Sequence, residues 1–102
     1  MNANANASGP RYFLSYSGVS LPLRLVSPLK ADELQHRNTY FRAVYDEADR
    51  LVSCEKLVYG EVELLHVYEY SADGVLARAR ISMGDDEPTE LLFDENGALV
   101  RA

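Results

Sequence analysis

The sequence holds a single cysteine, Cys54, no tryptophan, and only two histidines, His36 and His66. One thiol cannot close a disulfide within the chain or build a multi-cysteine metal knuckle. There is no run of lysine or arginine. Ten basic residues stand against 16 acidic ones, giving a formal charge of −6. Gripping a phosphate backbone or an anionic lipid surface needs a basic patch, so neither nucleic acid nor membrane is an expected partner. No apolar run approaches the ~18 residues of a membrane span. Met1–Pro10 carries neither the basic start nor the apolar stretch of a signal peptide, so the cytoplasm is the expected location by elimination. A glycine-rich phosphate cradle is missing as well. Ser17 and Ser53 have no general base at motif spacing, and Asp85-Asp86-Glu87 lacks the ligand spacing of a calcium loop. No catalytic residue, metal ligand or cofactor is therefore assigned, and an enzyme is the less expected class.

What is present is 102 residues of ordinary globular composition, 47% hydrophobic and 25% charged, enough for one core. Residues 1–10 read as a small, polar, disordered leader, and 11–102 as one domain. The organising stretch is Val62–Met83. Two apolar-alternating runs flank Ser71-Ala72-Asp73-Gly74, the chemistry of a β-hairpin turn. Pairing Tyr70 with Val75 puts Val62, Leu64, His66, Tyr68 and Tyr70 on one face with Ala77, Ala79, Ile81 and Met83. The charged residues then lie opposite.

Further runs read as strands: Arg11–Tyr16, Leu21–Leu25 with Pro22 marking an edge, Thr39–Tyr45, Leu51–Val58 and Glu90–Phe93, with Ala98–Arg101 as a further candidate. Ser27–Asn38 reads as the one helix, with Ser27 as cap, Pro28 at the first position, acids early and His36-Arg37 late. The expected fold is α+β and mainly β: an antiparallel meander of about six strands with one short helix packed on it.

Three segments match one another. Tyr45-Asp46-Glu47-Ala48-Asp49-Arg50-Leu51, Tyr70-Ser71-Ala72-Asp73-Gly74-Val75-Leu76 and Phe93-Asp94-Glu95-Asn96-Gly97-Ala98-Leu99 start at spacings of 25 and 23 residues. Each reads aromatic, polar turn, apolar restart. From Thr39 to Ala102 this resembles the tyrosine–aspartate (YD, RHS-type) repeat, which implies stacked β-hairpins as the sheet-building unit. Ser71 and Asp49 depart from that pattern, and three units cannot close a cargo shell. The whole chain also resembles small bacterial domains of unknown function that pair a YSGV–LPL segment (Tyr16–Val19, Leu21–Leu23) with such repeats. That likeness implies bacterial origin and no known activity.

The odd spacing of 25 has a consequence, because a strand alternates with period two. If Tyr45 and Tyr70 share a face, an odd connection must separate them. A three-residue loop, Tyr59-Gly60-Glu61, meets this need. It pairs Val58 with Val62 and sets Cys54 opposite His66, with Val52 and Val58 also on the core face. A two-residue Tyr59-Gly60 turn instead pairs Lys56 with Glu63 and turns Cys54 away from His66. The odd loop is the expected register, since it gives the cleaner apolar face.

On this reading His66, Cys54, Tyr45, Tyr68 and Tyr70 are the candidate ligand-binding residues, in a tyrosine-lined pocket. A buried, satisfied Cys–His contact is their more ordinary purpose. The expected function is a non-enzymatic binding module that engages a protein partner, or a second copy, through the face or an edge of its sheet. Exposed Val44, Leu65 and Val67 among charges motivate it. The alternative is a small-ligand binder or minor enzyme centred on His66 and Cys54.

Overall fold

Three tight turns of one construction set the frame of the structure, a computed structural model that describes residues 9–18 and 21–101, Arg101 by its backbone alone. In the first, the Asp46 carboxylate accepts the backbone N–H groups of Ala48 and Arg50, both at 2.9 Å. In the third, Asp94 does the same for Asn96 and Ala98. In the middle turn Ser71 takes that place, its hydroxyl donating to Asp73 and to the Val75 carbonyl. The fourth turn residue is left-handed in all three: Asp49 (φ 63°), Gly74 (φ 87°) and Gly97 (φ 83°). Aspartate tolerates this conformation by bonding locally, and glycine adopts it freely. A Cβ at Gly74 would meet nothing closer than Arg50 Nη1 at 3.7 Å, so the cost of Gly74→Ala is conformational. A loss of about 1–2 kcal/mol is expected, read as a lower urea midpoint at unchanged slope.

These turns link strands of one antiparallel sheet. The strands are β1 (Arg11–Ser17), β2 (Arg24–Leu29), β3 (Thr39–Tyr45), β4 (Leu51–Val58), β5 (Glu61–Tyr70), β6 (Leu76–Met83), β7 (Thr89–Phe93) and β8 (Leu99–Arg101). Their order is β2-β1-β3-β4-β5-β6-β7-β8, eight strands where about six were expected. β3 to β8 form a simple meander. The β1–β2 hairpin precedes it, and the chain crosses β1 on its way into β3. Leu21, Leu23 and Leu25 pack on the core face against residues of β3 to β6, so this end of the sheet rolls over its own surface.

The helix differs most from the sequence reading. Ser27 and Pro28 belong to β2, and only Ala31–His36 is helical, as a 3-10 segment with no buried residue. Ser27 does not cap a helix, because the β2 ladder with β1 runs through it to Leu29; it sits at φ 62° inside an edge strand. Pro28, opposite Phe13, is tolerated because β2 has a free side. The strand read at Leu21–Leu25 begins only at Arg24. Glu33 accepts the Lys30 backbone N–H at 2.8 Å and closes the short helix from its third position. The leader read at residues 1–10 lies outside the described residues except for exposed Gly9 and Pro10.

The core comprises Phe13, Phe41, Ala43, Leu51, Cys54, Tyr68, Leu76 and Ala79. Leu51 and Leu76 take the places read for Val52 and Val75. Each of the three turns is followed by a bulge on the next strand, at Val52, Ala77 and Val100, so Tyr45 pairs with Leu51, Tyr70 with Leu76 and Phe93 with Leu99. A bulge sets two residues against one and flips the alternation beyond it. On the other face Arg42 and Glu55 pair at 2.7 Å, and Leu65 and Val67 are half-buried.

The odd step was also placed wrongly. Tyr59 and Gly60 form a two-residue turn, both at positive φ (51° and 83°), with Val58 opposite Glu61. The register shift comes next, between Lys56 and Leu57, and leaves Glu63 extra. Cys54 therefore does face His66. The bulge also swings Glu63 to within 3.9 Å of Lys56, so the two registers weighed against each other both contribute a pair.

Candidate functional site

His66 sits at the middle of β5, opposite Cys54 on β4 and Ile81 on β6. It is the buried polar residue of the core, 6% exposed, with Tyr68 at 2% and Cys54 at 1%. His66 and Tyr68 are two apart on one strand and point to the same face. Their rings meet edge to face at 5.7 Å, and His66 Nδ1 lies 2.6 Å from Tyr68 Oη. The same phenol oxygen accepts the backbone N–H of Leu23 at 3.2 Å. Tyr68 lies directly across from Ala79, fully buried, whose small side chain makes room for the ring.

The proton arrangement follows from the partners. Leu23 N–H can only donate, and Tyr68 Oη has one proton to give. The role of His66 Nδ1 depends on the tautomer: protonated on Nε2, a neutral His66 accepts the phenol proton at Nδ1, and the chain runs from Leu23 N–H to Tyr68 to His66. Burial shifts all three titratable groups toward neutrality. It lowers His66 below the ordinary imidazole value, raises the Tyr68 phenol well above its own, and pushes the Cys54 thiol up to about 11. No hydrogen bond joins Cys54 to His66 among the described residues. A thiol held protonated and sealed is not a nucleophile, and one imidazole beside it is too small a donor set for a metal. No group of three or more metal-ligating side chains occurs among the described residues.

Tyr45 and Tyr70 lie one level out. Both are half-buried and line an open cleft with Leu23, Leu25, Arg50 and Leu76. Tyr70 donates its hydroxyl to the Leu51 carbonyl at 2.7 Å, and the Arg50 guanidinium lies 5.2 Å from its ring centre. Arg11 covers Tyr45 at 4.4 Å and reaches Asp49 at 2.8 Å. The five residues read from sequence thus share one face but divide into a sealed group (His66, Cys54, Tyr68) and a rim (Tyr45, Tyr70). Sequence reasoning missed Leu23, whose main chain closes the sealed group. The signal was present in Leu21, Leu23 and Leu25 at period two, a pattern that faces a core whatever strand it belongs to.

The match of this chain to a family model extends over residues 5–102. The chain belongs to a family of unknown function, DUF6156. No curated protein and no solved structure matches it. The family membership agrees with the expectation of a domain of unknown function, and the antiparallel sheet is common to both readings. No helix among the described residues is long and apolar enough to cross a membrane.

Proposed function

We propose that this chain is a non-enzymatic binding module that adds an extended apolar segment, of a second copy or of another protein, to the β8 edge of its sheet. The observation that carries this reading is the unequal treatment of the two edges. β2 is blunted by Pro28 and by the left-handed Ser27, features that turn away a pairing strand. β8 carries no proline and no left-handed residue; it is three residues long with a bulge at Val100, and it presents Leu99 and Val100 at 58% and 64% exposure. Its free side offers unpaired N–H and C=O groups for strand addition, with neighbouring side chains supplying selectivity. Further support comes from the core, where the ionisable groups are sealed in neutral form and hold structure together. The three matching turns support the likeness to the sheet-building unit of tyrosine–aspartate repeats, with no cargo function attached.

The test is light scattering over a concentration series, together with binding to a set of extended apolar peptides, for the wild type and for Val100→Lys. A lysine on an edge strand discourages pairing. Association or peptide binding by the wild type, lost in Val100→Lys, is the expected result. A constant monomer mass with no peptide bound overturns the reading.

A second reading, a small-ligand site at Tyr45 and Tyr70 with His66 and Cys54 behind them, is supported by the open cleft those tyrosines line. The sealed state of the inner pair makes it the weaker of the two.

A further inference from the structure

We propose that His66, Tyr68 and the strap Leu21–Leu23 form an acid-opened latch that holds the rolled end of the sheet down on the core. Leu23 N–H to Tyr68 Oη, at 3.2 Å and across 45 residues of sequence, is the one side-chain hydrogen bond the strap makes among the described residues. Pro22 brings no N–H of its own. Beyond that bond the strap is held by the apolar contacts of Leu21 and Leu23.

In the tautomer with Nε2 protonated, a neutral His66 draws the Tyr68 proton to Nδ1 and leaves the phenol oxygen free to accept from Leu23. When Nδ1 takes a proton it becomes a donor, at 2.6 Å from an oxygen that has been donating to it. The phenol must then accept from the imidazolium and turn its own proton elsewhere. Leu23 N–H already donates to that oxygen, so the phenol then faces two donors, its own proton loses its acceptor, and a buried cation is created at the same time.

The surroundings offer that cation no relief. β4 presents Cys54, a protonated thiol; β6 presents Ile81 and Ala79; β5 itself presents Tyr68 and, further along, Leu64. Lys56, two residues from Cys54 on β4, has the same sign as the imidazolium and is directed to Glu63. No carboxylate bears on the His66 ring, whose titration is displaced by burial alone. Lifting the strap lets water reach both the imidazolium and the phenol. Leu51, Tyr70 and Leu76, which the strap and the start of β2 overlie, become accessible in the same movement.

The sign follows from linkage. A base whose folded value is depressed is fully stabilising above its exposed value of about 6.5, and that contribution is lost as pH falls from there to the folded value. The opening equilibrium of the strap therefore rises about tenfold for each pH unit within that window.

Native-state hydrogen exchange on the full chain, corrected for the intrinsic pH dependence of amide exchange, tests this. The Leu23 amide reports the strap, and the amide of Ala43, in interior strand β3, reports global unfolding. The expected result is a fall in Leu23 protection of about tenfold per pH unit below about 6.5, ending at the His66 midpoint read from its ring-proton shift, with Leu23 less protected than Ala43 throughout and its opening far less sensitive to added urea, as a local opening requires. His66→Gln, which cannot acquire the charge, is expected to flatten the Leu23 profile. Three results overturn the proposal: a flat Leu23 profile in the wild type, a Leu23 opening that matches Ala43 in free energy and urea dependence, or an unchanged slope in a folded His66→Gln. The first two decide the matter without any variant.

Discussion

Tyr68→Phe is expected to lower the unfolding free energy by about 2–3 kcal/mol, a large loss for the removal of one oxygen atom. The ring would keep its place beside Ala79 and its edge-to-face contact with His66. Two polar groups would lose their partner together: the Leu23 N–H and His66 Nδ1. A buried group left unsatisfied costs about 1–3 kcal/mol, and the partial exposure of Leu23 puts its share at the low end. In a chain of this size the loss corresponds to a fall in Tm of about 10 °C or more. Urea unfolding followed by circular dichroism checks it. A change below about 0.5 kcal/mol, the ordinary range of a surface substitution, would mean that water already satisfies both groups and that the strap is not held through Tyr68.

Phe41→Ala has the larger expected effect, about 3–5 kcal/mol, because it removes the ring on which two parts of the sheet meet. Phe41 is 4% exposed on interior strand β3. Phe13 on β1 lies directly opposite it on one side, Lys56 on β4 on the other, and Tyr16 meets its edge at 5.6 Å. The β1–β2 hairpin joins the meander only through the β1–β3 ladder and the face it rolls over. The cavity left by the ring would therefore loosen the whole rolled end, and the Leu23 amide should lose protection along with the global stability. Thermal unfolding and exchange at Leu23 measure the two effects. A cost below about 1 kcal/mol would show that the hairpin collapses into the space without penalty.

The two substitutions act on the same closure from opposite sides. Tyr68 holds the strap from below by hydrogen bonding, and Phe41 anchors the hairpin that carries the strap by packing. Distant sites with no shared partner add, whereas coupled ones do not. A double variant that costs less than the two single costs combined would show that the strap and the hairpin come off the sheet as one unit.

The sequence by itself determined the antiparallel class, the positions of the polar turns and the sharing of one face by Tyr45, His66, Tyr68 and Tyr70. Each of these rests on local chemistry: alternation with period two, Asp-Gly and Asn-Gly turn residues, and an aromatic placed before each turn. The facing of Cys54 and His66 was also legible, although its cause was not. Parity demanded one odd step between Tyr45 and Tyr70, and parity cannot say whether the step is a three-residue loop or a two-residue turn followed by a bulge. The structure decided for the bulge, where Glu63 gains Lys56 as a neighbour. Tertiary structure alone also decided that Ser27-Pro28 lies in an edge strand. Ser, Pro and two early acids are a sound local case for a helix start, and they lose to the ladder that β2 makes with β1 over Arg24–Leu29. Above all it decided what covers His66. Leu23, 45 residues from Tyr68 in sequence, reaches its hydroxyl only because the sheet rolls over on itself. Such curling is the sum of strand twist, four bulges and one crossover, a long-range quantity to which no short stretch of residues corresponds.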